Sequence, residues 1–152
     1  MKKNSNIIFN KKTICFYDKK LITVLKKKAE KSKNKRSRIL LHTSLRSQVQ
    51  EMIIVLHKLS DVPAHRHPLN KSESYFIIEG KMKLEIYDKR GKVKKIVQMG
   101  SVNSGKPFYY RMSKGNLWHK PIATSKFCVY HETFAGPFIK SRDVKLKKYI
   151  KN

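Results

Sequence analysis

Apolar residues along this chain change their period partway through. From Leu21 to about Lys31 they recur at helical spacing, with Leu21, Val24, Leu25 and Ala29 on one face, which predicts an amphipathic helix. Upstream, "TICFY" (13–17) reads as a short strand. "KSKNKRSR" (31–38) has no apolar position and reads as a solvated basic loop. "QEMIIVLHKL" (50–59) fits helix or strand, and the β-branched run Ile53, Ile54, Val55 favours strand. Beyond Pro63 the period becomes two. "SYFIIEG" is a strand ending in glycine. "KMKLEIYD" alternates, with Met82, Leu84 and Ile86 against Lys81, Lys83 and Glu85. "DKRG" is a turn, and "KVKKIVQM" returns as its partner, so 81–99 predicts a hairpin. "SVNSGKP" is a loop, "FYYRM" a strand and "SKGN" a turn. "LWHKPIA" and "KFCVYHETF" are further strands, and "AGPF" ends the last of them.

Many short strands separated by Gly, Pro and Asn turns predict a mainly β protein, closed or sandwiched, with a short helical arm in front. No internal repeat is visible. The expected organisation is a basic arm with one helix and a leading strand over 1–60, a β domain over 61–139, and a basic tail over 140–152 that forms a short helix or frays.

Composition narrows the class. The chain has 152 residues, 39% of them hydrophobic, enough for one folded domain with a core. No apolar run approaches the roughly 20 residues that cross a bilayer. "NIIF" is too short for the core of a secretion signal, so a cytoplasmic protein without a membrane span is expected. Cys15 and Cys128 make no motif, and Cys128 sits in an apolar run as a buried thiol would. The charge is extreme: 36 Lys+Arg against 10 Asp+Glu, net +26. That field attracts anions: nucleic acid, acidic lipid, or phosphorylated and acidic sugars, an acidic glycan among them. Only seven of the basic residues are Arg, and richness in Lys, Asn and Ile also follows from coding bias. The 31–38 segment lacks interleaved aromatics and no nucleic-acid motif is present, so nucleic acid ranks last among the partners.

The chemistry concentrates in "PAHRHPLNKSESYFIIEG" (63–80). In a strand, residues two apart share a face, so His65 and His67 aim two imidazoles at one place while Arg66 points away. "PLNKS" is long enough for a turn that brings Glu73 alongside. Two neutral imidazoles and a carboxylate suit Fe, Zn, Mn or Ni as a divalent ion. His119, after a glycine-containing turn, is the best candidate for a further ligand. His42, His57 and His131 are the others. His57 reads as a core histidine. His131 shares its face with Phe127 and Val129, which makes it a candidate to project inward, while Glu132 points the opposite way.

These residues resemble the first cupin motif: HxH, a gap (here five residues), Glu, six residues, Gly. "SKGNLWH" resembles the second motif, with Ser113 in place of its usual proline and no asparagine after the histidine. A longer ordered set is similar to the WbuC-type cupin metalloproteins, which are associated with O-antigen and surface-polysaccharide gene clusters. It comprises Ala29, Ser32, "RSR" (36–38), "LH" (41–42), "VQEMI", "PAHRH", Lys71 with Glu73, "YDKRGKV", "WH" and "ETFAGPF", over about residues 21 to 139. The resemblance implies a cupin jelly-roll β-barrel of six to eight strands. It also implies a divalent metal held by His65, His67, Glu73 and His119, and, as in many cupins, a homodimer.

Several functions follow as expectations. The metal assists an isomerase- or epimerase-like step on a sugar or sugar-derived metabolite of polysaccharide synthesis. Tyr75, Tyr109, Tyr110 and Lys120 would then be candidate proton carriers, and Arg111 a clamp for an anionic group. Alternatively, Fe(II) with two open positions serves an oxygenase, or the chain is a non-enzymatic binder of acidic glycan or nucleic acid.

Overall fold

Alternation of buried and exposed side chains writes two sheets into this chain. The structure, a computed structural model, describes residues 6–146. In order the elements are β1 (Ile7–Phe9), α1 (Lys19–Lys31), β2 (Arg36–Leu40), β3 (Val49–His57), β4 (His65–Arg66), β5 (Glu73–Glu79), β6 (Lys81–Tyr87), β7 (Val93–Gly100), β8 (Tyr109–Met112), β9 (Trp118–Ala123), β10 (Phe127–Ala135), α2 (Lys140–Asp143) and β11 (Lys145–Leu146). The larger sheet runs β1-β2-β3-β10-β5-β8 and the smaller β11-β4-β9-β6-β7. They are two separately hydrogen-bonded sheets, so the closed barrel expected from the sequence is not formed. The mainly β class holds.

The inner faces meet in one core of Ile54, Leu56, Tyr75, Ile77, Met82, Leu84, Met99, Ala123, Cys128 and Tyr130. The 81–99 hairpin forms as the alternation predicts, with Met82 opposite Met99 and Leu84 opposite Val97. A second core lies outside the larger sheet. Asp18 caps α1 by accepting from the amides of Lys20 and Leu21. Leu25 and Ala29 on that helix bury fully against Ile39, Val55 and Val129.

Three local expectations are corrected. "TICFY" forms no strand: Ile14 and Phe16 are exposed, and the short strand lies earlier, at β1. The basic loop is shorter than expected, because the chain enters β2 at Arg36. There Ser37 and Ile39 alternate onto α1, and β3 supplies the ladder, Arg38 opposite Ile54. Val24 is exposed, because Leu21, Ile22, Leu25 and Ala29 make the packed stripe of α1. The part of the basic tail past Leu146 lies outside the described residues. Among those described, no helix is long and apolar enough to cross a membrane.

Candidate metal centre

Three strands deliver four side chains to one point. β4 carries His65, and His67 follows it directly. β9 lies beside β4, with His119 opposite His65. Glu73 opens β5 on the facing sheet. Buried Lys71 sets the turn between His67 and Glu73: its Nζ donates to the carbonyls of Gly136 (2.8 Å) and Pro137 (2.9 Å). The ring centroids of His65, His67 and His119 are 4.3–5.3 Å apart. One ligand atom from each of the three histidines and Glu73 lies within 4.8 Å of every other.

The tautomers follow from the partners. The Nδ1 of His65 faces Pro63 O at 2.9 Å, that of His67 faces Asp143 O at 2.7 Å, and that of His119 faces Leu117 O at 2.9 Å. A carbonyl oxygen only accepts, so each Nδ1 carries the proton and each neutral ring presents an Nε2 lone pair. Two of those lone pairs face the Glu73 carboxylate, His67 Nε2 at 3.2 Å and His119 Nε2 at 3.1 Å. Acceptor against acceptor is repulsive unless a cation lies between. Despite its short separation, the pair His119 Nε2 and Glu73 Oε2 makes no hydrogen bond, and both atoms are buried. These orphaned atoms fit a metal ion, since two donors about 2.1 Å from one ion in neighbouring positions sit roughly 3 Å apart. Without metal, protons supply the charge. Burial alone would lower the His67 pKa, but the hydrogen bond and charge of Glu73 outweigh it and raise it. Burial would raise the Glu73 pKa, but His119 and His67 hold it below the usual carboxylate range. His65 is depressed to about 3, by burial first and by His119 next.

Gly115 keeps the second turn close to the site. A Cβ there would lie 1.9 Å from Pro68 O and 2.9 Å from His67 O. The next residue, Asn116, donates its amide to His67 O at 2.7 Å and accepts from Arg66 Nη1 at 2.9 Å. Gly115→Ala must therefore push the His67 backbone. It is expected to cost about 1–3 kcal/mol in urea unfolding and to lower metal occupancy in the same protein. Wild-type occupancy in the variant would show that the turn does not set His67.

The other sequence candidates scatter. Tyr75 is fully buried on the Glu73 face of β5, its ring 5.4 Å from Tyr110 and 4.9 Å from Tyr130. Tyr110 lies opposite Tyr75, and its hydroxyl is buried without a partner. Tyr109 and Arg111 alternate to the outer face of β8, opposite Phe76 and Ser74. Lys120 lies behind His119 on the other face of β9, 3.0 Å from Asp61. His42 accepts the Glu51 amide at 3.0 Å. His57 is a core histidine, as expected, edge-on to Phe127.

His131 does not project inward. It faces out, its Nε2 3.6 Å from Glu51. Val129, buried, and Phe127, half-buried, which suggested an inner face, pack under α1 on the outside of the sheet. The acid beside it, Glu132, takes the inner position instead, opposite Tyr75 and two ladder positions from the Phe134–Glu73 pair, on the same face as Glu73. Burial, then the Glu73 charge, pushes its carboxyl up to about 8. Strand alternation alone pointed to this residue once the face of His131 was known.

Two facing sheets with a three-histidine, one-carboxylate cluster between them define a cupin-like fold with a candidate metal centre. The sequence profile described as domain of unknown function DUF6016 matches residues 17–99, more than half of the chain. The chain belongs to that family. The match takes in His65, His67 and Glu73 and stops before His119. No curated protein sequence matches the chain. Among solved structures, protein SO0799 from Shewanella oneidensis aligns with a TM-score of 0.52 at 14% identity, over 67% of this chain and 63% of that one. Oxalate oxidase in complex with glycolate aligns with a TM-score of 0.55 at 14% identity, over 71% of this chain and 54% of that one. The chain thus spans under two thirds of each of these proteins, and at such identity the likeness shows the fold.

Proposed function

We propose that this chain is a metal-dependent cupin protein of the cytoplasm that acts on a sugar or sugar-derived metabolite of surface-polysaccharide synthesis. One observation carries the metal: three imidazoles with Nδ1 pinned to backbone carbonyls gather around a buried carboxylate, and two of them turn their Nε2 lone pairs on it at 3.1 and 3.2 Å. The sugar reading is supported by the WbuC-type resemblance over residues 21 to 139. A divalent ion in such a set polarises a bound carbonyl or hydroxyl oxygen. The chain's residues do the rest. The Asp143 carbonyl fixes the His67 ring, and Phe134, 4.7 Å from that ring, shields it from water. Burial raises the Tyr75 and Tyr110 pKa values, so both hydroxyls stay protonated beside Glu73 and serve as donors to a substrate oxygen.

The test is metal content by mass spectrometry of tag-free protein expressed with Fe, Zn, Mn and Ni supplied. Near-stoichiometric metal is expected in the wild type, falling at least tenfold in His67→Ala and Glu73→Ala. An empty wild type would overturn the reading. For the loaded protein, sugars and sugar phosphates are expected to perturb the visible spectrum of a cobalt(II) form. A spectrum indifferent to all of them would sink the sugar part alone.

A further inference from the structure

The ladder register leaves a polar group on the inner face that the metal-ligand set does not use. On β2, Ser37 and Ile39 face outward: Ser37 Oγ donates to Leu25 O at 2.7 Å and Ile39 packs under α1. Arg36 and Arg38 therefore face inward, opposite Leu56 and Ile54 of the inter-sheet core. Their charges are felt inside. Arg38 acts on the Glu132 carboxyl, and Arg36 interacts with the buried Tyr130 and with Asp61. Neither guanidinium makes a hydrogen bond or an ion pair within 4.0 Å among the described residues. Arg36 is half-buried, and burial, followed by the neighbouring Arg38, lowers its pKa. Two adjacent guanidinium forks with no carboxylate within 4.0 Å among the described residues, one of them partly desolvated, suit a carboxylate or phosphate held by paired N–H donors. β2 lies three strands from β5, roughly 14 Å at sheet spacing. An arginine side chain and a small molecule together span that distance.

We propose that Arg36 and Arg38 form an anion-binding edge on the inner face of the larger sheet, so that the molecule acted on is small, with a carboxylate or phosphate at one end and an oxygen for the metal at the other. Its second half rests on the metal-centre reading; capture of the anion by the two arginines does not. The chain's +26 field attracts any anion, so the test must separate a built site from that field.

Phosphoglycolate and malonate are titrated calorimetrically into metal-stripped protein at 0.15 M salt, a concentration at which exposed charges further than about 8 Å apart are screened. At least one probe is expected to bind, and its affinity to fall about tenfold or more in Arg38→Ala and severalfold in Arg36→Ala. The paired change Lys94→Ala and Lys95→Ala removes two exposed charges from β7, on the other sheet, and is expected to move affinity less than twofold. Phosphoglycolate alone responding assigns a phosphate; both responding assigns a general anion fork. Equal losses in the arginine and lysine variants, or no binding by the wild type at 10 mM, would overturn the proposal. So would an Arg38→Ala effect that vanishes in a Glu132→Gln background, since Arg38 would then only balance that acid. Arg38 is exposed, so its variant is expected to keep the wild-type melting midpoint and metal content. A wild type that stays empty when expressed with metals supplied, yet binds the probe through Arg38, would sink the metal reading and leave this one standing.

Discussion

Glu73→Gln is expected to bring the melting midpoint of metal-supplied protein down to that of the metal-stripped wild type, a fall on the order of 10 °C. A ligand at a thousandfold excess over its dissociation constant stabilises by about 4 kcal/mol. In a domain of this size each kcal/mol moves the midpoint by about 2–4 °C. Glutamine keeps the volume of the side chain but removes the negative charge on which His67 and His119 converge at 3.2 and 3.1 Å. The metal-stripped protein is expected to remain folded, because a proton on His67 takes the place of the cation; Glu73 raises the pKa of that ring despite its burial. The proton and the metal compete for one lone pair. Metal stabilisation is therefore present above the raised His67 pKa and shrinks as pH falls through it. Differential scanning fluorimetry of both proteins, with and without chelator, at pH 5 and pH 8 checks this. A metal-induced rise in Glu73→Gln equal to that of the wild type would show that the carboxylate is not a ligand.

How much of this was legible in the sequence depends on which neighbours a residue has along the chain and which it has across it. The strand Lys81–Tyr87 alternates, and the strands around Tyr109, Trp118 and Phe127 are short apolar runs bounded by turn residues, which is local information. The histidine pair and Glu73 were legible because spacing within one strand–turn–strand unit fixes their convergence. β2 was hidden because its inward positions are Arg36 and Arg38: a strand whose inner face is charged reads as a polar loop. Phe127 and Val129 looked like the inner face of β10 because α1 gives that sheet a second apolar side, which periodicity alone does not reveal. The Asp143 carbonyl that orients His67 lies 76 residues away in sequence, in a segment with no motif. Backbone acceptors carry no residue-type signal, so only the fold exposes them.

Glu132→Gln is expected to stabilise the metal-stripped protein at pH 8 by about 2 kcal/mol and to leave it nearly unchanged at pH 5. Burial and then the charge of Glu73 push this carboxyl up to about 8, although Arg38 and His67 pull it back. In the unfolded chain a glutamate titrates near 4.3. The folded-state pKa is the higher one, so the folded chain holds a proton that the unfolded chain releases. The stabilising term is fully present below about pH 4.3 and is lost progressively as pH rises to about 8. Each unit of difference corresponds to about 1.4 kcal/mol. As a residue Glu132 is only half-buried, so solvent screening reduces the realised loss, hence the smaller figure. Glutamine stays neutral at both pH values and has no such loss, while keeping a donor on the inner face of β10. Bound metal changes the balance: a divalent cation beside Glu73 favours the ionised form of Glu132 as well, so the gain from the substitution shrinks in loaded protein. Urea unfolding of wild type and variant at both pH values, with and without metal, reads all four corners. Parallel pH slopes in the stripped proteins would mean that Glu132 is an ordinary solvated acid. A gain confined to stripped protein at pH 8 would make it the inner carboxyl that responds to the charge state of the metal centre.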